Sequence, residues 1–178
     1  MPENERFELV TINPSFILGP SFVKSDFSSA EAICKIMSGK YPGMPRIMMS
    51  VVDVREVAQA HLEAILRPEA AGKRFILSAE DVWFREIAEK LHAEFGRDYW
   101  IATMELKYCL VKMVSLFDPS IRVILPIWDR ELHLNNQRSK ELLGIDYRPS
   151  QETLRDFGNY LIDNGYLPDK RRNKERFH

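Results

Sequence analysis

The most sharply bounded apolar run of the chain covers residues 7 to 12 and stops at Asn13-Pro14-Ser15. Its large side chains crowd both faces of the segment, a pattern that favours a strand buried on both sides in a parallel sheet. Pro14 has no amide hydrogen, so regular pairing is expected to end near it, at the edge where open α/β sheets bind ligands. The run predicts a strand that leads into a ligand site, although on these residues alone an ordinary strand and loop is the simpler interpretation.

Cap residues and apolar periodicity predict several further elements. Asp53 and Glu56 have the spacing of a capping box, which predicts a helix that ends near Leu66. Ser28 or Ser29 is expected to cap an earlier helix. The other predicted helices cover 30–37, 84–95, 104–117, 136–143 and 150–164, and extended segments cover 46–52 and 73–78.

The predicted core faces can be stated residue by residue. An acidic start at Glu80-Asp81 is expected to precede the helix over 84–95. The inward side chains expected in that helix are Phe84, Ile87, Ala88, Leu91 and Phe95. The inward stripe expected over 104–117 consists of Leu106, Leu110, Met113 and Phe117.

The order of these elements indicates an α/β protein. Strands and helices alternate in the first half, whereas helices dominate the second half and suggest a small lobe laid against the sheet. Only about three strands are convincing, which is too few for a parallel sheet whose strands need neighbours on both sides. The chain therefore reads as the back half of a larger unit, and we expect its open sheet edges to favour self-association.

Composition changes this picture mainly by exclusion. The 178 residues carry 25 Lys and Arg against 26 Asp and Glu, so neither nucleic acid nor an anionic membrane is an expected partner. No apolar run is long enough to span a bilayer. Cys34 and Cys109 lie outside any CxxC or Cys/His cluster, which predicts neither zinc nor a disulfide framework. A small-molecule ligand and a reducing compartment, the cytoplasm, are the default expectations.

Three segments together resemble the extended short-chain dehydrogenases of the NAD-dependent epimerase/dehydratase superfamily. They are VTINPSFILGP at 10–20, VVDVREVAQAH at 51–61, and the closing stretch from 139 to 168. Within that family, the nearest branch looks like the dihydroflavonol, cinnamoyl-CoA and aldehyde (methylglyoxal-type) reductases. The likeness covers almost the whole chain in order and spacing, but only the carboxyl-terminal half of the family's chain.

The resemblance implies the back half of a Rossmann-like NAD(P)-binding fold plus a small, mostly helical substrate lobe. The chain would be a single incomplete unit over 1–178. Its Rossmann-fold parts would be 7–20 and 51–78, its substrate lobe and C-terminal helices 21–50 and 79–168, and its basic tail 169–178.

The implied activity is that of an NAD(P)-dependent oxidoreductase that reduces a small-molecule ketone or aldehyde to an alcohol, with NADP as the cofactor and NAD as the alternative. The family's glycine-rich fingerprint should lie upstream of residue 1, and its catalytic Tyr-x-x-x-Lys just before Phe7. The eight glycines contain no GxxGxxG. We therefore assign no catalytic residue and no metal, and we expect incomplete cofactor binding by this chain.

Tyr108 and Lys112 do have the Tyr-x-x-x-Lys spacing, which places two side chains on one helical face. They lie long after the strand that would flank the nicotinamide, so a surface pair is the better interpretation. Two functions remain as alternatives to the reductase: a non-catalytic binding or scaffold module, and a nucleotide-sugar epimerase or dehydratase.

The resemblance also implies roles for individual residues. Main-chain groups around Asn13, Pro14 and Ser15 would hold the nicotinamide carboxamide, and the proline would form a rigid wall for the ring. Ser29 would contact the cofactor phosphates, with a simple helix cap as the alternative. The positions that match the family's substrate pocket are Ser28, Ala32, Met49 and Ser50.

Two other polar residues are expected to be structural. Helix capping is sufficient to explain Asp53. His61 shares a predicted helical face with Val57 and Ile65, which favours a hydrogen-bonded core histidine over a base or a ligand.

Overall fold

The computed structural model describes residues 7–22, 28–117 and 119–171, which form a mixed α/β structure. The strands are β1 Thr11–Pro14, β2 Phe16–Leu18, β3 Met48–Asp53, β4 Arg74–Leu77 and β5 Glu80–Trp83. The helices are α1 Ser28–Met37, α2 Val54–Leu66, α3 Phe84–Phe95, α4 Tyr108–Val114, α5 Pro119–Arg122, α6 Gln137–Leu143 and α7 Ser150–Asp163, with 3₁₀ turns at Pro68–Ala70 and Leu125–Ile127. Within these ranges no helix is long and apolar enough to cross a bilayer.

One stretch of chain takes part in two small sheets. β1 pairs in parallel with β4, where Thr11 lies opposite Arg74 and Pro14 opposite Leu77. β2 pairs in parallel with β3, and β3 pairs antiparallel with β5. The chain passes from the first sheet to the second at Ser15, whose amide donates to the Leu77 carbonyl at 2.9 Å. Pairing of β1 with β4 therefore ends at Pro14, which is where the sequence predicts the end of this strand.

Buried apolar side chains form two clusters. The larger one lies between α3 and α7, and α1, β2 and β3 pack against this pair of helices. Gly158 of α7 allows a close approach to α3, because a Cβ at this position would lie 2.4 Å from the Phe95 ring. The smaller cluster lies under α2 and α6 and includes Phe75 and Leu77 of β4. Both clusters are formed by amphipathic helices laid on short strands.

Elements with a strong local pattern lie where the sequence predicts them. The Asp53 side chain accepts a hydrogen bond from the Arg55 amide at 2.8 Å, and Glu56 completes the capping box at the start of α2. The helices predicted over 136–143 and 150–164 are present as α6 and α7, and each is followed by a left-handed glycine, Gly144 or Gly165. The core face predicted for α3 is fully buried. These predictions are confirmed.

The first strand differs from the prediction in position and burial. Residues 7–10 precede β1, and Phe7 and Leu9 are 75% and 62% exposed. Val10 and Ile12 pack against the cluster under α2 and α6, while the side chains on the opposite face of the strand are exposed. The prediction of burial on both faces is wrong for the described residues, because helices cover only one face of the β1–β4 pair.

Glu80 and Asp81 begin a strand rather than a helix. β5 lies antiparallel to β3, with Glu80 opposite Val51 and Asp81 opposite Ser50. Four residues are too few for strand periodicity to be recognised in a sequence. The extended conformation is instead stabilised by pairing with β3, which is distant in the chain.

The helix predicted over 104–117 is shorter and presents the opposite face to the protein. α4 has only seven residues, and Val111 is its buried side chain. Three side chains of the predicted inward stripe are exposed: Leu110 by 48%, Met113 by 54% and Phe117 by 85%. Helical spacing shows which residues share a face, but it does not show which face the rest of the protein covers.

His61 is hydrogen-bonded, as expected, but it is not a core residue. Its ring nitrogen lies 2.8 Å from the Val57 carbonyl oxygen, and its side chain is exposed. Ile65, one turn further along the same face of α2, is 83% exposed. The described residues therefore leave part of the apolar face of α2 uncovered.

Candidate functional site

β1 ends in an exposed corner at the carboxyl edge of its sheet. Asn13 and Pro14 are both exposed there. The Thr11 amide donates to the carbonyl of Lys73, the residue just before β4, and the Ser15 amide donates to the carbonyl of Leu77, the last residue of β4. The main-chain groups of the odd-numbered residues of β1 therefore face β4. Pro14 thus occupies a position whose amide would point to the unpaired edge, and its missing N–H costs no bond to β4. The result is a rigid, exposed wall at the end of a parallel strand.

Ser15 carries a buried polar atom without a partner. Its hydroxyl oxygen is inaccessible to solvent and has no hydrogen-bond partner in the part of the chain that the structure describes. Leaving a buried hydroxyl unsatisfied costs about 1–3 kcal/mol, so such a group calls for an explanation. A hydroxyl in this state, at the carboxyl end of a parallel strand, fits a ligand site.

The amino-terminal half of β3 lies beside Ser15. Phe16 pairs with Val51 at the start of the β2–β3 ladder, and Ser15 and Ser50 immediately precede this first pair. Ser50 is 4% exposed, and its hydroxyl donates to the Asp81 carboxylate. The oxygen of Ser50 can still accept a hydrogen bond. Two of the residues assigned from the resemblance are therefore brought together by strand pairing.

Asp81 joins the predicted substrate residues to β5 and to the segment before α6. Besides Ser50, it accepts hydrogen bonds from the Ser78 hydroxyl at 3.5 Å and from the Leu134 amide at 3.3 Å. Met49, next to Ser50, is partly buried against the larger cluster. The sequence does not predict a role for Asp81, since no local pattern indicates the strand that places it here.

The first turn of α1 contains the serines assigned to the cofactor and the substrate. Ser28 is exposed, whereas Ser29 and Ala32 are partly buried, and both serines lie inside the helix as its first residues. Amides in a first turn have no acceptor within the helix, and they lie at the positive end of its dipole. Glu31 forms an ion pair with Lys35 at 2.6 Å, which offsets its charge in this turn. The helix packs against β2, which follows Ser15.

A buried ion-pair network fixes the end of β3. Asp53 is fully buried and accepts hydrogen bonds from Nε and Nη2 of Arg55, at 2.9 and 2.7 Å. Nη1 of Arg55 reaches Asp156 on α7 at 2.9 Å. Glu56, also buried, accepts from the amide and Nε of Arg148 at 2.9 and 2.8 Å. The capping box was predictable from the sequence. The bonds from this network to Asp156 of α7 and to Arg148, just before α7, were not, because these residues are about 90 to 100 positions further along the chain.

The ionised form of Asp53 is favoured. Burial alone would raise the pKa of its carboxyl group, but hydrogen bonds from Arg55 and Thr153 outweigh that effect and hold the pKa below its usual value. Gly19 faces this carboxylate with a φ of 121°, and a Cβ there would lie 3.0 Å from Val54 and 3.2 Å from Asp53. Glycine is therefore required where the chain leaves β2.

Tyr108 and Lys112, the pair on α4 with the Tyr-x-x-x-Lys spacing, both lie at the protein surface. In sequence they are far from β1 and α1, which carry the residues assigned to the cofactor. Tyr108 is 44% exposed and packs edge-on against Trp128, with the ring centroids 5.5 Å apart. Lys112 is exposed. Across the described residues, no group of three or more His, Cys, Asp and Glu side chains could hold a metal ion.

Comparisons with known proteins find reductases. The NADPH-dependent methylglyoxal reductase of Saccharomyces cerevisiae is 24% identical over an alignment of 175 residues, gaps included, and the alignment covers 90% of this chain and 44% of that protein. Cinnamoyl-CoA reductase 1 of Petunia hybrida is 27% identical over 161 residues, again 90% of this chain and 43% of the relative. The crystal structure of yeast methylglyoxal/isovaleraldehyde reductase complexed with NADPH has a TM-score of 0.66 at 25% identity, and the match covers 90% of this chain and 45% of that one. No family model matches the sequence.

The chain is similar over most of its length to carbonyl reductases of the extended short-chain dehydrogenase type, which confirms the resemblance read from the sequence. It has the predicted fold, the back half of a Rossmann-like NAD(P)-binding fold with a small helical lobe. It spans about half the length of the curated relatives that it matches.

Proposed function

We propose that this chain forms the carboxyl-terminal part of an NADPH-dependent carbonyl reductase and supplies one wall of the nicotinamide pocket with most of the substrate lobe. The observation that carries the proposal is the unpartnered, buried hydroxyl of Ser15 at the carboxyl end of β1, beside the buried Ser50. It is supported by relatives named as NADPH-dependent or cinnamoyl-CoA reductases, which match 90% of the chain.

The exposed corner of β1 suits a planar, polar ring. NADPH, when bound, would supply the hydride that reduces the carbonyl carbon. Pro14 fixes the backbone, so the groups around it need little reorganisation when they hold a carboxamide. The Asn13 side chain and the Ser15 hydroxyl provide hydrogen-bonding groups on either side of this rigid wall. The proton for the carbonyl oxygen would come from a donor outside this chain, since the Tyr108 phenol lies on α4 at the surface.

The remaining assignments concern the phosphates and the substrate. Ser29, with the free amides of the first turn of α1, suits an anion such as a cofactor phosphate. The neighbouring positions would line the pocket for an aldehyde or ketone, with Met49 as its adaptable apolar contact; they are Ser28, Ala32, Met49 and Ser50. NADP is favoured over NAD because the yeast relative is named as NADPH-dependent.

A cytoplasmic location belongs to the same proposal. Cys34 and Cys109 are both free thiols, which suits a reducing compartment. Burial raises the pKa of the Cys34 thiol, so this side chain is expected to be unreactive.

The test is a hybrid enzyme. The full 178-residue chain is fused behind the part of the yeast methylglyoxal reductase that the match leaves uncovered, and NADPH consumption is followed with methylglyoxal and a panel of aldehydes and ketones. We expect turnover by the hybrid, and weak or no NADPH binding to this chain alone by calorimetry, because its glycines form no phosphate-binding turn. A folded hybrid that binds NADPH but reduces no carbonyl would contradict the proposal, as would micromolar NADPH binding by the chain alone.

Replacing Ser29 with alanine in the hybrid is expected to raise the Kd for NADPH about tenfold, because a hydrogen bond to a charged group contributes about 1.5 kcal/mol or more. Ser38→Ala is the matched control, since Ser38 is exposed just beyond the other end of α1 and bonds only weakly to the Lys35 carbonyl. A lower melting temperature with an unchanged Kd would assign Ser29 to helix capping instead.

A further inference from the structure

Asp81 has a carboxylate that is surrounded by hydrogen-bond donors but is paired with no arginine or lysine in the described ranges. Its side chain is 19% exposed. One oxygen, Oδ1, accepts from the hydroxyl groups of Ser50 and Ser78, the latter at 3.5 Å. The other, Oδ2, accepts from the Leu134 amide at 3.3 Å and lies 3.5 Å from Nδ1 of His133. Groups from three separate parts of the chain therefore fix the position of this carboxylate.

The hydrogen bond to Asp81 determines what Ser50 can do. A serine hydroxyl has a single proton, and Ser50 uses its proton in this bond. An ionised carboxylate can only accept, so the direction of the bond cannot reverse. Ser50 is 4% exposed, and a bond to a charged acceptor is stronger than one between neutral groups. The Ser50 oxygen can therefore act only as an acceptor toward a further group.

The Ser15 hydroxyl is an unused donor on the same face of the sheet. Ile17 and Val52 are paired in the β2–β3 ladder, and both pack in the smaller cluster. Ser15 and Ser50 each lie two residues earlier in the chain, so their side chains point to the same side as those of the pair. The Ser15 hydroxyl has no partner among the described residues. A group that both accepts and donates, as a hydroxyl does, would satisfy both serines.

We infer that Asp81 is a positioning residue that acts through Ser50 and selects carbonyl substrates which also carry a hydroxyl group. The inference rests on the proposed function, in which Ser50 lines the substrate pocket. With the Ser50 proton held by Asp81, a substrate hydroxyl can donate to the Ser50 oxygen, whereas an ether or second carbonyl oxygen would meet another acceptor. A methyl group at the same place would leave the buried Ser50 oxygen without a donor, which weakens binding.

Two simpler interpretations compete with this one. Asp81 connects β5 to the segment before α6 through the Leu134 amide, which is a structural role. A water molecule is the alternative donor to the Ser50 oxygen. In both cases a change at Asp81 would alter stability, or the rates with all ketones alike. Substrate preference is therefore the measurement that separates the three interpretations.

The test compares ketones of matched shape in the hybrid enzyme. Hydroxyacetone and butanone differ only in a hydroxyl in place of a methyl group, and a second pair carries the same difference one carbon further from the carbonyl. The ratio of kcat/KM within each pair measures the preference for the hydroxyl. The Kd of each ketone for the hybrid loaded with NADP+ measures the same preference without turnover. Dividing the ratio of a variant by that of the wild type removes the intrinsic reactivity of each ketone.

Asp81→Asn should lower the preference for the hydroxylated ketone about five- to tenfold, because the amide can donate to the Ser50 oxygen and occupy it. Ser50→Ala should lower the preference as much, and the double variant should lower it no further, since Asp81 acts through Ser50. Asp163→Asn, at an exposed carboxylate of α7, is the control that should leave the preference unchanged.

The outcomes separate this inference from the proposed function. An equal preference in Asp81→Asn and the wild type would overturn the inference, as would a further loss in the double variant. Ser50→Ala decides the matter if Asp81→Asn does not fold, because a preference that survives without the Ser50 hydroxyl also overturns it.

The activity of the hybrid adds the second distinction. Turnover without any preference for the hydroxylated ketone would overturn the inference and leave the reductase function intact. Preferential binding that is lost in Asp81→Asn, in a hybrid that reduces no carbonyl, would support the inference and contradict the reductase function. A folded hybrid that binds neither ketone would contradict both.

Discussion

Replacing Phe157 with alanine is expected to lower the free energy of unfolding by about 3–5 kcal/mol, the usual cost of removing a buried aromatic side chain. Phe157 is fully buried in the larger cluster, next to Gly158 of α7. The Phe95 ring packs directly against the backbone of the adjacent Gly158, with no room for even a Cβ atom. Because the surroundings are already this closely packed, they cannot collapse into the space left by the removed side chain. The resulting cavity would lie inside the larger cluster.

Urea unfolding followed by tryptophan fluorescence measures this loss, and Phe117→Ala is its matched control. Phe117 is 85% exposed, so its removal should change the free energy of unfolding by no more than about 0.5 kcal/mol. The expectation fails if Phe157→Ala costs less than about 1 kcal/mol, or if the two variants unfold at the same urea concentration.

The elements that sequence reasoning placed correctly are those with local determinants. The capping box of Asp53 and Glu56 lies within four residues, and the buried face of α3 repeats over three turns. Such patterns require no knowledge of the rest of the fold. β5 and the face of α4 depend instead on partners distant in the chain: β5 is stabilised by β3, and the packing around Val111 decides which way α4 turns.

The candidate site divides in the same way. The segment at Asn13, Pro14 and Ser15 was predicted because a strand-terminating proline has a direct physical meaning, and the family resemblance gave it a role. The hydrogen bond from Ser50 to Asp81 was not predicted, since Asp81 lies on the unrecognised strand. The exposure of Leu9 and Ile65 was not predicted either. An apolar residue in a sequence suggests burial, but it does not show which part of the protein covers the side chain.

The network around Asp53 connects the site to the packing of α7. The residue ends β3, the strand that carries Met49 and Ser50, and through Arg55 it holds Asp156 of α7. An aspartate whose pKa is lowered by folding stabilises the folded state only while it is ionised. The contribution of this network to the free energy of unfolding should therefore depend on pH.

Replacing Asp53 with asparagine is expected to lower the free energy of unfolding by about 2–3 kcal/mol at neutral pH. Asparagine caps a helix about as well as aspartate, so the cap to the Arg55 amide is kept while the charged bonds to its guanidinium are lost. The loss should be smaller than for a fully buried pair, because the Arg55 side chain is 37% exposed and can be rehydrated. Asp163→Asn, in the exposed pair with Arg171, should cost less than about 1 kcal/mol.

The pH dependence gives the sharper test. Because folding lowers the pKa of Asp53, its stabilisation is fully present above the unfolded value of about 3.9 and is lost as the pH falls through the lower folded value. The difference between wild type and Asp53→Asn should thus be constant from pH 7 to about 5 and shrink below about pH 4. Glu80, whose pKa is also lowered through Lys90 and Ser150 against the effect of burial, remains in both proteins, so both should still lose stability in acid. If the difference in the free energy of unfolding between wild type and Asp53→Asn stays the same down to pH 3, the carboxylate charge contributes nothing to stability. The role of Asp53 would then be helix capping alone.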